Sequence, residues 1–157
     1  MAADTGLLET ALDPAAQLAA FTAAHPNAGA IVSFLGQVRG GAQAGGGGAI
    51  QALELQHYPP LTLPGIAALA AQIIARWQLE GLLIRHRIGV LTPGEPIVLV
   101  AAAARHRRAA FEATDCAMDQ LKSAAWLWKR ERRGGQWHWI EPRREDQTDL
   151  ARWDLMH

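Results

Sequence analysis

HRRAAFEATDCAMDQLKSAAWLWKRE, residues 106–131, changes period part-way along, and the rest of the chain is arranged around that change. Phe111, Met118, Leu121 and Ala125 fall at helical spacing on one face, while Glu112, Asp115, Asp119 and Gln120 take much of the remainder. That is the pattern of a helix laid on a core. From Trp126 the apolar residues alternate instead, the period of a strand. Cations sit at both ends: His106, Arg107 and Arg108 at the helix start, Lys122 in its last turn, Lys129 and Arg130 on the strand. A helix start already presents unpaired N–H groups and the positive dipole end, so cations there cost stability that an anion restores. The stretch therefore reads as a candidate anion pocket containing amines.

Working outward, Ile97 to Ala103 is a continuous apolar run, hence a central strand feeding that helix. Leu82 to Ile88 is a further strand, with Ile84, His86 and Ile88 on one face and Arg85 and Arg87 on the other; His86 is read as a packed, hydrogen-bonded residue. Thr62 to Trp77 is an amphipathic helix with Pro64 in its first turn, and Ala49 to Gln56 a strand with one wetter face. Ala30 to Leu35 is a buried strand leading through Gly36, Gln37, Val38 and Arg39 into GGAQAGGGG. That glycine segment lacks the Lys-Ser/Thr ending of a phosphate loop and reads as a connection between strands. Asp13 caps a helix that starts at Pro14 and stops at His25-Pro26-Asn27. Downstream, Trp126 to Arg132 and Gln136 to Ile140 flank Gly134-Gly135 as a hairpin, and a short helix follows from Glu145. The order of helix, strand, strand, helix, strand, strand, helix and hairpin predicts α+β with a mixed, largely antiparallel sheet, in one domain over residues 1–157.

Net charge is zero but uneven: up to Ala75 the chain carries Asp4, Glu9, Asp13 and Glu54 against Arg39, a net of −3, so the remainder carries +3. So small an excess predicts no non-specific nucleic-acid or membrane binding. A single cysteine, Cys116, excludes an internal disulfide, and its helical setting predicts a small buried residue. The six histidines show no ligand spacing, so no metal or cofactor is expected, and no apolar run spans a membrane. A cytoplasmic protein is expected. The remaining cations suit a phosphorylated or carboxylate-bearing substrate. A competing reading takes Trp126, Trp128, Trp137 and Trp139 as stacking platforms for single-stranded nucleic acid; Glu131 interrupts the charge such a surface needs.

AIVSFLGQVRG, LELQHYP, IRHRIGVLTPGE, ARHRRAAFEA, MDQLKSAAWLWKRE and IEPRREDQ, in this order from Ala30 to Gln147, resemble the catalytic (large) subunit of molybdopterin synthase. The resemblance implies an α/β-hammerhead fold and a sulfurtransferase that converts cyclic pyranopterin monophosphate to molybdopterin. Sulfur arrives as the C-terminal thiocarboxylate of a small ubiquitin-like partner, and the assembly is a homodimer carrying two small subunits, a heterotetramer. It implies substrate contacts at Gln37, Val38, Arg39, His106, Arg107, Lys122, Lys129, Arg130 and Glu131, with Arg143 reaching the neighbouring subunit's site. Lys122 is the expected residue at the thiocarboxylate carbonyl, and Lys129 is expected to hold substrate and the partner's tail. Like charges from Arg39, His106, Arg107 and the other lysine are expected to favour a neutral amine where they converge. The sequence departs from the family's usual residues at Gln37, Gln56 and Trp126. A non-catalytic scaffold for the small subunit is the alternative; the matched cations, all present, argue against it.

Overall fold

The computed structural model describes residues 3–41, 48–123 and 126–153. Strands β1 (Ala3–Leu8), β2 (Ala30–Gln37), β3 (Ala52–His57), β4 (Gly81–Arg87), β5 (Gly89–Leu91), β6 (Pro96–Ala104), β7 (Leu127–Arg133) and β8 (Gln136–Ile140) form two four-stranded sheets. Helices α1 (Pro14–Ala24), α2 (Thr62–Trp77), α3 (Arg107–Ser123) and α4 (Arg144–Leu150) complete the chain. The first sheet runs β1-β4-β6-β2 and the second β5-β3-β7-β8. Among the described residues only β1 with β4 is parallel, and the other pairings are antiparallel. The architecture is thus the α+β, mixed and largely antiparallel arrangement the element order predicts.

The long apolar run became β6, whose Val98 to Ala104 are all buried at the centre of the first sheet. Its alanines let helices approach closely. On one face α2 contributes Ile66, Leu69, Ala70 and Ile73, and α3 contributes Ala110, Ala113, Cys116 and Ala117 to the same core. Each fully buried Leu or Ile is worth about 1.5–3 kcal/mol relative to exposure, so this face dominates stability. On the other, α1 places Phe21 against Leu83, Leu99, Ala101 and Ala103. The α1 cap is as expected, with Asp13 Oδ1 accepting from Ala16 N at 3.0 Å.

Three expectations changed. Phe111, expected on the core face of α3, is 59% exposed. Met118 and Leu121 are buried as expected, but in the first turns of α3 the small residues Ala110, Ala113 and Thr114 are the buried ones, because a sheet rich in alanine admits the helix too closely for a phenyl ring between them. The sequence reading had no β1, whose strand character depends on pairing with β4, and no β5, which is three residues long. Ala125 and residues 42–47 of the glycine segment lie outside the described residues. At the tip of the β7–β8 hairpin, Gly134 and Gly135 both adopt positive φ, 54° and 77°, as a two-residue hairpin turn requires. Among the described residues no helix is long and apolar enough to cross a membrane.

Candidate active site

Where the two sheets meet above the end of α3, a cavity of about 710 Å³ opens. Its wall includes Gln37, Val38 and Arg39 after β2, Lys122 from α3, Lys129 and Glu131 from β7, and Arg143 before α4.

Local structure explains each placement. The register of β2 on β6 shifts between Gly36 and Gln37, which ends regular pairing. Val38 N then donates to Glu95 O at 3.0 Å and Gly94 N to Val38 O at 2.8 Å, and the Val38 side chain is buried with Leu53, Leu55 and Leu91. With Val38 anchored, its neighbours Gln37 and Arg39 remain exposed, so the bulge aims a guanidinium into the cavity rim. Lys122 stands in the last turn of α3, where unpaired carbonyls and the dipole favour a cation.

On β7 the period of two sorts the charges. Lys129 and Glu131 share the face turned to the cavity. Arg130 takes the opposite face, directly across from Glu54 on β3 and Trp139 on β8. It bonds the Glu54 carboxylate and lies 4.7 Å from the Trp137 ring centroid and 5.6 Å from that of Trp139, so the structure places it in the sheet and away from the cavity wall. Glu131 is held by Arg133 Nε at 2.8 Å, which leaves the cavity wall dominated by cations.

Lys129 is mostly sequestered, and burial, followed by the ammonium of Lys122, holds its amine below the usual lysine range. Lys122 itself is exposed at the cavity. Of the like charges expected around the amines, the Lys122 ammonium is the one that acts on Lys129; Arg39, His106 and Arg107 do not contribute.

His106 and Arg107 stand elsewhere. Helix α3 runs from Arg107 to Ser123, which at about 1.5 Å per residue separates its two ends by roughly 25 Å. His106 lines a different depression with Trp77, Glu80 and Arg105, and both His106 and Arg107 are exposed. Arg143, assigned by resemblance to a neighbouring subunit's site, lines this chain's own cavity.

Cys116 is fully buried, and burial pushes its thiol up to about 12, so no thiolate nucleophile is available in the chain. One wall residue had no functional reading in the sequence. His86, 4% exposed on β4 and paired with Val98, also faces the cavity. Strand alternation gave its face but not the presence of a cavity there.

Trp126, the departure at the junction of α3 and β7, has a structural role. Its carbonyl accepts from Thr62 Oγ1 at 2.6 Å. Its ring packs so tightly on α2 that a Cβ on Gly65 would lie 2.5 Å from the indole.

Comparison with known proteins identifies the family. The family model described as MoaE protein matches residues 7–124. A molybdopterin synthase catalytic subunit of Mesorhizobium japonicum is 46% identical over 143 residues, covering 90% of this chain and 87% of that protein. Another, from Caulobacter vibrioides, is 43% identical and covers 94% and 95%. A solved structure described as the molybdopterin biosynthesis MoaE protein of Burkholderia ambifaria superposes with a TM-score of 0.80 at 36% identity, covering 97% of this chain and 98% of that one. A more distant one, with a TM-score of 0.74 and 21% identity over 88% and 91% of the two chains, shares the fold; it is described as a complex of subunits 1 and 2 of molybdopterin-converting factor from Helicobacter pylori. With three quarters of its length matched by the family model and near-complete coverage of curated relatives, the chain belongs to the MoaE protein family.

Proposed function

We propose that this chain acts as the catalytic subunit of a molybdopterin synthase, a sulfurtransferase. Its cavity takes cyclic pyranopterin monophosphate together with the thiocarboxylated C-terminal tail of a small ubiquitin-like subunit. The observation that carries the reading is the convergence of Lys122 and Lys129, from a helix and a strand of different sheets, with Arg39 and Arg143 on one wall. The name of the Helicobacter pylori complex, which describes two subunits together, supports the partnership.

The residues suit the chemistry. Guanidinium groups at Arg39 and Arg143 bind phosphate through paired N–H donors. The thiocarboxylate sulfur attacks an oxygen-bearing side-chain carbon of the substrate, the C–O bond at that carbon breaks with its oxygen leaving as water or with the phosphate, and a thioester joins the two molecules. Water or a lysine amine then attacks the acyl carbonyl, the acyl–sulfur bond breaks, and sulfur stays on the pterin as a thiolate. Two such transfers complete a dithiolene. An amine serves as nucleophile or proton acceptor only when neutral, which favours a lysine held below its usual pKa. Lys129 has that environment, and Lys122, nearer solvent, is positioned to meet the entering tail's carbonyl. Cys116 is inert, as expected if the sulfur belongs to the partner.

His106 and Arg107, exposed and roughly 25 Å along α3 from Lys122, suit a second role in the cavity of a neighbouring copy. This supports a homodimer bearing two small subunits, a heterotetramer. The decisive assay incubates the chain with thiocarboxylated small subunit and cyclic pyranopterin monophosphate and detects the dithiolene. No product from a folded, assembled complex overturns the reading. Mixing inactive Lys122→Ala and His106→Ala chains tests the sharing: recovered activity on mixing supports it, and none refutes it.

A further inference from the structure

Among the cations of the cavity wall stands a buried neutral side chain whose bonding leaves it a lone pair. Nδ1 of His86 lies 2.8 Å from the carbonyl oxygen of Arg87. A carbonyl only accepts, so Nδ1 carries the proton and donates. Burial, with a further push from the Lys129 ammonium, brings the His86 pKa down to about 4, so the ring is neutral at physiological pH. Nε2 is then unprotonated, an acceptor only, and it makes no hydrogen bond among the described residues. The side chain borders the cavity that also holds Lys129, and its cross-strand partner Val98 borders it too.

The surroundings make this acceptor distinctive. Arg39, Lys122, Lys129 and Arg143 only donate, one oxygen of the anionic Glu131 is engaged by Arg133, and Gln37, the other neutral polar side chain of the wall, is exposed. Anionic parts of a ligand go to the cations. A ligand N–H needs an acceptor, and at the buried inner wall His86 Nε2 is the neutral one. A reduced pterin offers such donors in its ring N–H and amino groups. We propose that His86 is a specificity-determining substrate contact, its Nε2 accepting a hydrogen bond from an N–H of the pterin ring system. The inference rests on the substrate reading above and adds how the heterocycle, as distinct from its phosphate, is recognised and oriented.

The test uses the full chain and His86→Asn. Asparagine places an amide N–H where Nδ1 stands, keeping the donor to Arg87 O, but has nothing at Nε2. Calorimetric titration with cyclic pyranopterin monophosphate should show about tenfold weaker binding for the variant, the loss expected for one hydrogen bond. Inorganic phosphate, which meets only the cations, should bind both proteins alike. In turnover, KM for the pterin should rise with kcat nearly unchanged. Equal pterin affinity in the two proteins overturns the assignment, and so does parallel loss of pterin and phosphate binding, which marks a purely structural histidine. An independent readout needs no variant: in long-range proton–nitrogen spectra of the wild-type chain, the Nε2 resonance should move when pterin is added and stay when phosphate is added. An Nε2 signal indifferent to pterin sinks the proposal. A wild-type chain that binds no pterin at all sinks the substrate reading as well, so the two failures are told apart.

Discussion

Thr62 holds the junction between the two lysine-bearing elements, and replacing it by valine isolates that task. The residue is fully buried at the start of α2. Its hydroxyl donates to Trp126 O at 2.6 Å and accepts from Tyr58 N at 2.9 Å. Trp126 directly precedes β7, so this bond ties the connection between Lys122 and Lys129 to the core helix. Valine keeps the shape and removes both bonds. At about 0.5–1.5 kcal/mol each the loss is about 1–3 kcal/mol. For a chain of this length each kcal/mol lowers Tm by roughly 3 °C, giving a fall of about 3–9 °C. Displacement of reacting groups by on the order of 1 Å costs up to about 100-fold, so kcat/KM for sulfur transfer should fall by about three- to thirtyfold. Thr62→Ser, which retains the hydroxyl, should keep most of the activity. Differential scanning calorimetry and single-turnover sulfur transfer read the two effects. Unchanged Tm and turnover in Thr62→Val would refute the anchoring role, and a serine variant as impaired as valine would assign the effect to the methyl group instead.

Cys116→Ala should leave sulfur transfer intact in the assembled complex, since a thiol pushed up to about 12 contributes no thiolate at neutral pH; loss of activity in a folded variant counts against it. Lys129 has a folded pKa below its ordinary 10.5, with burial the leading cause. The unfolded chain therefore keeps that proton over a pH range where the folded chain has shed it, and stability rises with pH across this range; below the folded pKa the penalty stands in full. Lys129→Met should accordingly raise Tm at pH 7 while impairing turnover, and a lowered Tm would contradict the burial argument. His86 falls from 6.5 to about 4 on folding. Its contribution is present above 6.5 and is lost as pH drops through 4, about 3 kcal/mol in all; urea midpoints at pH 7, 5 and 4 should show this slope in the wild type and a flatter one in His86→Asn. Light scattering at micromolar concentration should show a dimer, and a monomer would argue against shared cavities.

How much of this was legible in the sequence depended on the range of the interaction that decides each feature. The α2 face, the β6 run, the Asp13 cap and the Gly134-Gly135 turn are decided by residues within a few positions of one another, and period and turn chemistry find them. Strand β1 was invisible because its sequence lacks a run of β-branched or aromatic residues, and its partner β4 lies more than seventy positions away. Phe111 was misplaced, although Met118 and Leu121 were not, because helical spacing locates a face without saying how closely each turn approaches the sheet; opposite β6, which ends in four consecutive alanines, the first turns of α3 bury small residues. The site shows the same division. Motif resemblance named the cations one by one, yet which of them meet depends on lengths and faces. Alternation along β7 separates Arg130 from Lys129, and the length of α3 separates His106 from Lys122. The cavity itself arises between sheets that no local pattern relates, so it alone turns His86 from a packed strand residue into a wall residue with a free lone pair. Cations announce themselves in sequence by type, whereas a neutral acceptor among them is recognised only once its other nitrogen has been given a partner.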